Sequence, residues 1–141
     1  MGNYSVNHKT DYIEVIYINT PTNLCGVYGI MIGNYTLSSV GRCKIARLIS
    51  KGLLGVSLAA NKLDPVLKDS TVIAEGGMFA GVDPNYGTTL MDIMLLSNTT
   101  FKWTGKKKNK IFSVIGSELG IGMSITSGSS LNYEATMFWE E

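Results

Sequence analysis

The sequence predicts a mainly β domain, an antiparallel sandwich or jelly roll or else a closed barrel, with at most one short helix. Three observations carry that expectation. Short runs rich in β-branched and aromatic residues recur along the chain. Turn signals separate them, among them Pro21-Thr22-Asn23, Asp64-Pro65, Asp83-Pro84-Asn85-Tyr86-Gly87 and Ser127-Gly128-Ser129-Ser130. Sixteen glycines, several inside apolar runs, disfavour long helices. A doubly wound parallel sheet would need several crossover helices, and one candidate at most is visible.

The elements follow in order. Met1 to Thr10 is polar and reads as an arm or a short edge strand, leaving residues 11–141 as one β domain. Asp11 to Thr20 (DYIEVIYINT) is a strand with apolar residues on both faces, so it suits cover on both sides. Leu24 to Ser39 carries Gly26, Gly29 and Gly33 within an apolar run, which favours a strand with bulges over a helix. Arg42 to Leu63 is ambiguous. Ile45, Leu48 and Ile49 fit a helical stripe that Gly52 could cap, whereas Cys43, Ile45 and Ile49 fit a strand face. A short helix over Lys44 to Lys51 is favoured.

Ser70 to Ala80 reads as a strand bent or bulged at Gly76-Gly77. Thr88 to Leu96 is a strand. Thr99 to Thr104 and Lys110 to Ile115 are expected to pair as a hairpin across Gly105 to Asn109. Leu119 to Thr126 and Leu131 to Glu141 complete the set, about seven or eight strands in all. In the last of them Leu131, Tyr133, Ala135, Met137 and Trp139 share one face.

Composition bounds the function. Charged residues make up 16% of the chain, against about 25% in an ordinary globular protein. A small monomer uses surface charge to stay apart from its neighbours. The deficit therefore points to a surface covered by other subunits, although a surface of Ser, Thr and Asn would also account for it. A net charge of +1 gives no general attraction to nucleic acid or anionic lipid. No apolar run reaches the roughly 20 residues of a membrane-spanning helix, and MGNYSVNHKT has no apolar core of a signal peptide. Cys25 and Cys43 are too few for a disulfide scaffold or a zinc site and read as buried thiols in a reducing cytoplasm.

Catalytic signatures are lacking in the sequence. The single histidine, His8, stands in the polar N-terminal segment, away from partners for base catalysis. There is no G-x-S-x-G, no phosphate-binding P-loop and no dinucleotide fingerprint. Asp92, within the strand LMDIML, is the carboxylate of most interest. An outward position, or a pair with Arg42 or Arg47, outweighs a catalytic role. No catalytic residue, cofactor or metal is expected. Lys106, Lys107, Lys108 and Lys110 form the one concentrated charge, with Trp103 just before them. They read as a solvated tip that discourages edge pairing, or as a partner contact with a phosphate backbone or an acidic protein patch. Nucleic acid is the less favoured partner. Tyr133, Met137 and Trp139 are expected to fill the core or a subunit interface.

The C-terminal segment Met137-Phe138-Trp139-Glu140-Glu141 is an apolar strand running into an aromatic-acidic end. With the low charge, the Gly, Ser and Thr richness and the polar N-terminal segment, it resembles small bacteriophage virion proteins of the jelly-roll kind: capsid decoration (cement) and head-fibre proteins. The resemblance implies a non-enzymatic structural protein and a trimer or other symmetric homo-oligomer. It further implies attachment to a capsid or tail protein in a virion assembled in the host cytoplasm. Two other readings stay open: a ligand-binding β-domain using Tyr28, Tyr35, Tyr86 or Trp103 on sugar rings, and an inhibitor or scavenger of a host partner.

Overall fold

The computed structural model describes residues 2–12, 14–19, 25–35, 40–66, 68–105, 111–112, 120–127 and 132–141. Its strands are β1 (Asn3–Thr10), β2 (Glu14–Asn19), β3 (Gly26–Asn34), β4 (Gly41–Ser50), β5 (Val56–Leu58) and β6 (Asn61–Lys62). They continue as β7 (Ile73–Gly76), β8 (Asn85–Leu95), β9 (Thr99–Thr104), β10 (Ile111–Phe112), β11 (Gly120–Ser127) and β12 (Tyr133–Glu140). No helix occurs among the described residues.

The strands form two antiparallel sheets that pack face to face as a sandwich, and neither closes into a barrel. The first sheet runs β10-β3-β12-β1-β6, with β9 also on β3. The second runs β5-β7-β2-β11-β4-β8. Alternation along each strand sends one set of side chains into the space between the sheets. From the first sheet come Tyr4, Val6, Val27, Ile30, Ile32, Tyr133, Ala135, Met137 and Trp139. The second sheet answers with Val15, Ile16, Ile18, Cys43, Ile45, Ala74, Ile93, Leu95, Ile121, Met123 and Ile125.

Four segments differ from the sequence expectation. The N-terminal segment is not an arm. As β1 it pairs along its whole length with β12, from Asn3 opposite Glu140 to Thr10 opposite Tyr133, and only β6 lies beyond it. Lys44 to Lys51 is not a helix, because Gly41–Ser50 is strand β4 between β11 and β8. The helical spacing of Ile45 and Leu48 arises because β4 carries apolar residues on both faces. The register with β8 shifts between Ile45 and Ala46, between Ala46 and Leu48, and between Leu48 and Ser50. Three residues apart on one strand, Ile45 enters the main core and Leu48 the outer face by alternation alone.

The hairpin expected of Thr99–Thr104 and Lys110–Ile115 also gives way. β9 and β10 both pair with β3, in tandem along the same edge: Thr99–Thr104 opposite Asn34–Gly29, then Ile111–Phe112 opposite Val27–Gly26. Finally, Gly52 does not cap a helix. A methyl group at Gly52 or at Gly55 would lie 2.4 or 2.2 Å from the Phe79 ring, so the missing side chains are what let this segment close over Phe79.

Phe79 belongs to a second, smaller cluster on the outer face of the second sheet, with Tyr17, Leu48 and the partly buried Tyr86. Tyr17 and Phe79 stack with ring centroids 5.7 Å apart. Gly122 opens the space for Tyr86, since a Cβ there would meet the Tyr86 ring at 2.6 Å. The segments 51–55 and 77–84 lie over this cluster, tied by Leu53 N–H to Val82 O (2.8 Å), Gly81 N–H to Leu53 O (3.1 Å) and Ala80 N–H to Leu54 O (3.2 Å).

Candidate functional site

Of the residues singled out by sequence, Lys106, Lys107, Lys108 and Lys110 lie outside the described residues. Trp103 on β9 is half-buried and packs against the main core. Tyr133, Met137 and Trp139 are 1%, 0% and 0% exposed and fill the space between the sheets, the first of the two roles the sequence offered. They are not a subunit surface. Asp92 accepts from Arg42 Nε at 3.2 Å on the exposed face of β4 and β8, the ion pair that outweighed catalysis in the sequence. Cys25 and Cys43 are buried thiols, and burial pushes the Cys43 thiol up to about 12. His8 is partly buried against Gly76 and Gly77, and desolvation holds it below its ordinary value. Among the described residues no three His, Cys, Asp or Glu side chains group to hold a metal.

Three surface features stand out among the described residues. The first is apolar. Leu53, Leu54, Val56, Met78 and Val82 are 45–75% exposed and lie together where segments 51–56 and 77–82 bond to each other beside the edge strand β5. Leu54, the most exposed of the five, holds a left-handed φ of 59°, a conformation that costs a branched side chain about 1–2 kcal/mol. Isolated exposed leucines are ordinary, whereas these five stand close together in the chain's fold and one of them sits on strained backbone.

The second is a groove of about 160 Å³ on the outer face of the first sheet, lined by Tyr28, Gly29, Met31, Lys102, Thr104 and Phe138 among others. Tyr28 and Phe138 face each other with centroids 6.2 Å apart at 34°. Of the four aromatics proposed for sugar stacking, Tyr28 lines this groove, as does Trp103 from its half-buried position. Tyr86 is taken up by the outer cluster of the other sheet, and Tyr35 is exposed elsewhere.

The third is a pocket of about 190 Å³ lined by Tyr12, Glu14, Gly77, Met78, Phe79 and Asp83. Glu14 opens β2, and the bulge between Met123 and Ser124 of β11 sets it opposite Ser124, beyond which Lys44 follows on β4. Gly77, at a φ of 73°, ends β7 and donates its N–H to the Glu14 carbonyl at 2.7 Å, which carries segment 77–83 across the sheet. The Glu14 carboxyl is pushed up to about 7, chiefly by burial. Asp83 raises it further, while the Tyr86 hydroxyl and Lys44 pull it down. Tyr86 is close enough to favour the charged form, but the pair falls short of a well-formed hydrogen bond. Glu14 Oε2 and Tyr86 Oη are both buried without one among the described residues. This site escaped the sequence reading. Its one signal is a lone acidic residue within the apolar run DYIEVIYINT.

Comparison with family models, with curated proteins and with solved structures gave no match to this chain.

Proposed function

We propose that this domain is a non-enzymatic structural module, an assembly component of the virion kind its C-terminal strand resembles, which works through stable contact with further copies of itself. The observation that carries the reading is the apolar surface of Leu53, Leu54, Val56, Met78 and Val82, exposed in the single chain and built partly on a strained leucine. The charge deficit supports it, because 16% charged residues leave little to hold equal surfaces apart. Light scattering at micromolar concentration is the test. A symmetric homo-oligomer is expected, and Leu54→Asp should reduce it to monomers. A clean monomer of the unaltered chain would overturn the proposal.

Ligand binding is a second reading, favoured by the groove on the first sheet. Tyr28 and Phe138 offer ring faces beside Lys102 and Thr104, a combination suited to a sugar ring. Silence on a glycan array would remove it.

A further inference from the structure

We propose that segment 77–83 is a proton-operated clasp: it is held shut over the outer face of the second sheet while Glu14 is neutral, and it opens more readily once Glu14 is ionised. The geometry comes first. Glu14 Oε2 is buried with no hydrogen bond among the described residues, and it stands at a cavity of about 190 Å³ under this segment. Asp83, at the far end of the segment, lines the same cavity. Closing the segment therefore takes one carboxylate out of water and brings a second near it. Both act against a charged Glu14, burial by desolvation and Asp83 by repulsion.

The segment is lightly held. Of its backbone hydrogen bonds among the described residues, one reaches the sheet, from Gly77 N–H to the Glu14 carbonyl. The others join it to segment 51–55, which itself turns at left-handed Leu54. Phe79, stacked on Tyr17, is its apolar anchor. A unit with few anchors and a cavity beneath it opens at less cost than the whole fold. Met78 and Val82 of the apolar surface ride on this segment. Association that buries them would hold the clasp shut by mass action, and that consequence alone rests on the assembly reading.

Every charged or titratable group facing Glu14 bears on the sign. Asp83 raises it from the covering segment, whereas the Tyr86 hydroxyl of β8 and Lys44 of β4 favour its charged form. The buried Tyr133 hydroxyl of β12 also lies within its field and stays neutral. Burial prevails and sets the carboxyl at about 7 under the closed clasp, against its ordinary 4.5. The open form gains as pH rises between these values, so the opening equilibrium should grow by about tenfold or more from pH 5 to pH 8. His8 of β1, which packs against Gly77, acts with the opposite sign. Burial disfavours its charged form, so loss of its proton tightens the contact.

The experiment is amide hydrogen exchange of the full chain from pH 5 to pH 8, corrected for intrinsic rates. It is read at Leu53, Gly77, Ala80 and Gly81, the donors that tie the clasp down. These amides should be less protected than Ile30 and Ile32 of the central strand β3 at every pH. They should lose protection by about tenfold or more as pH rises. Glu14→Gln should remove the dependence, and Asp83→Asn, at an exposed position, should move it to lower pH. Protection that stays flat or rises with pH would overturn the clasp. So would a pH dependence that persists in Glu14→Gln, or clasp amides as protected as those of β3. Repeating the series at a higher protein concentration separates the two readings. Protection that grows with concentration supports both, whereas protection independent of it counts against assembly alone and leaves the clasp to the pH series.

Discussion

The Thr71 amide donates to the Glu141 carboxylate, at 3.1 Å to Oε1 and 3.3 Å to Oε2. The Val72 amide (3.3 Å) and the Ser70 hydroxyl donate to Oε1 as well. One side chain beyond β12 thus organises the turn that leads into β7. Hydrogen bonds to a charged acceptor are stronger than neutral ones, and three donors would lose this acceptor together, although the Val72 amide keeps the Ser70 hydroxyl oxygen at 3.1 Å. Glu141→Ala should therefore cost about 1–3 kcal/mol in denaturant unfolding, and restoring the carboxylate one methylene shorter, as Asp, should recover little of it.

Tyr133 is a core residue with a misplaced polar atom. Its hydroxyl is buried and has no hydrogen-bond partner among the described residues, while its ring lies between the sheets. Removing an unsatisfied buried hydroxyl relieves a desolvation cost. Tyr133→Phe should leave the protein as stable or more stable, by up to about 1–2 kcal/mol. Thermal unfolding will decide it, and a loss of stability would mean the hydroxyl has a partner.

Gly122 lies under the Tyr86 ring, and a Cβ there would also approach Tyr17 Cβ at 2.8 Å. Gly122→Ala should lower stability by about 1–3 kcal/mol through overpacking. The tyrosine near-ultraviolet signal should change with it, because the outer cluster must open to admit the methyl group.

Glu14 sets a pH dependence whose sign follows from its raised value. The folded state holds the proton up to about pH 7, whereas in the unfolded chain the carboxyl returns to about 4.5. Between those values the native state binds more protons, so stability is full below the lower value and falls as pH rises through the window. Above pH 7 this contribution levels off. Stability measured from pH 4 to 8 should fall in the unaltered protein, and Glu14→Gln should flatten the profile.

Leu54 separates folding from association. At this exposed, left-handed position glycine relieves strain, which roughly offsets its greater freedom in the unfolded chain. Leu54→Gly should leave the unfolding free energy within about 1 kcal/mol while weakening any oligomer seen by light scattering.

How much of this was legible depends on whether a strand keeps its period. β12 alternates without interruption through Tyr133, Ala135, Met137 and Trp139, so its face could be read directly, although the expected start at Leu131 lies two residues before the observed one at Tyr133. β9 was equally plain. β4 was not, because apolar residues on both its faces, Cys43 and Ile45 inward and Leu48 outward, leave the spacing of a helix. The outer cluster was hidden for another reason. Tyr17, Phe79 and Tyr86 come from separate strands and loops, and what unites them is empty space above Gly52, Gly55 and Gly122. Glu14 was obscured likewise, since its burial comes from a covering segment more than sixty residues further along the chain.

The place of β12 between β1 and β3 has a kinetic consequence. Asn3 finds its partner in Glu140, so a loop spanning nearly the whole chain must close before β1 can join the first sheet. Topologies dominated by such distant pairings fold on the order of milliseconds to seconds, not microseconds. During synthesis β1 and β3 emerge early and wait with unpaired edges for the strand that will join them. Until it arrives those edges are open to other nascent chains, and refolding yield should fall as protein concentration rises.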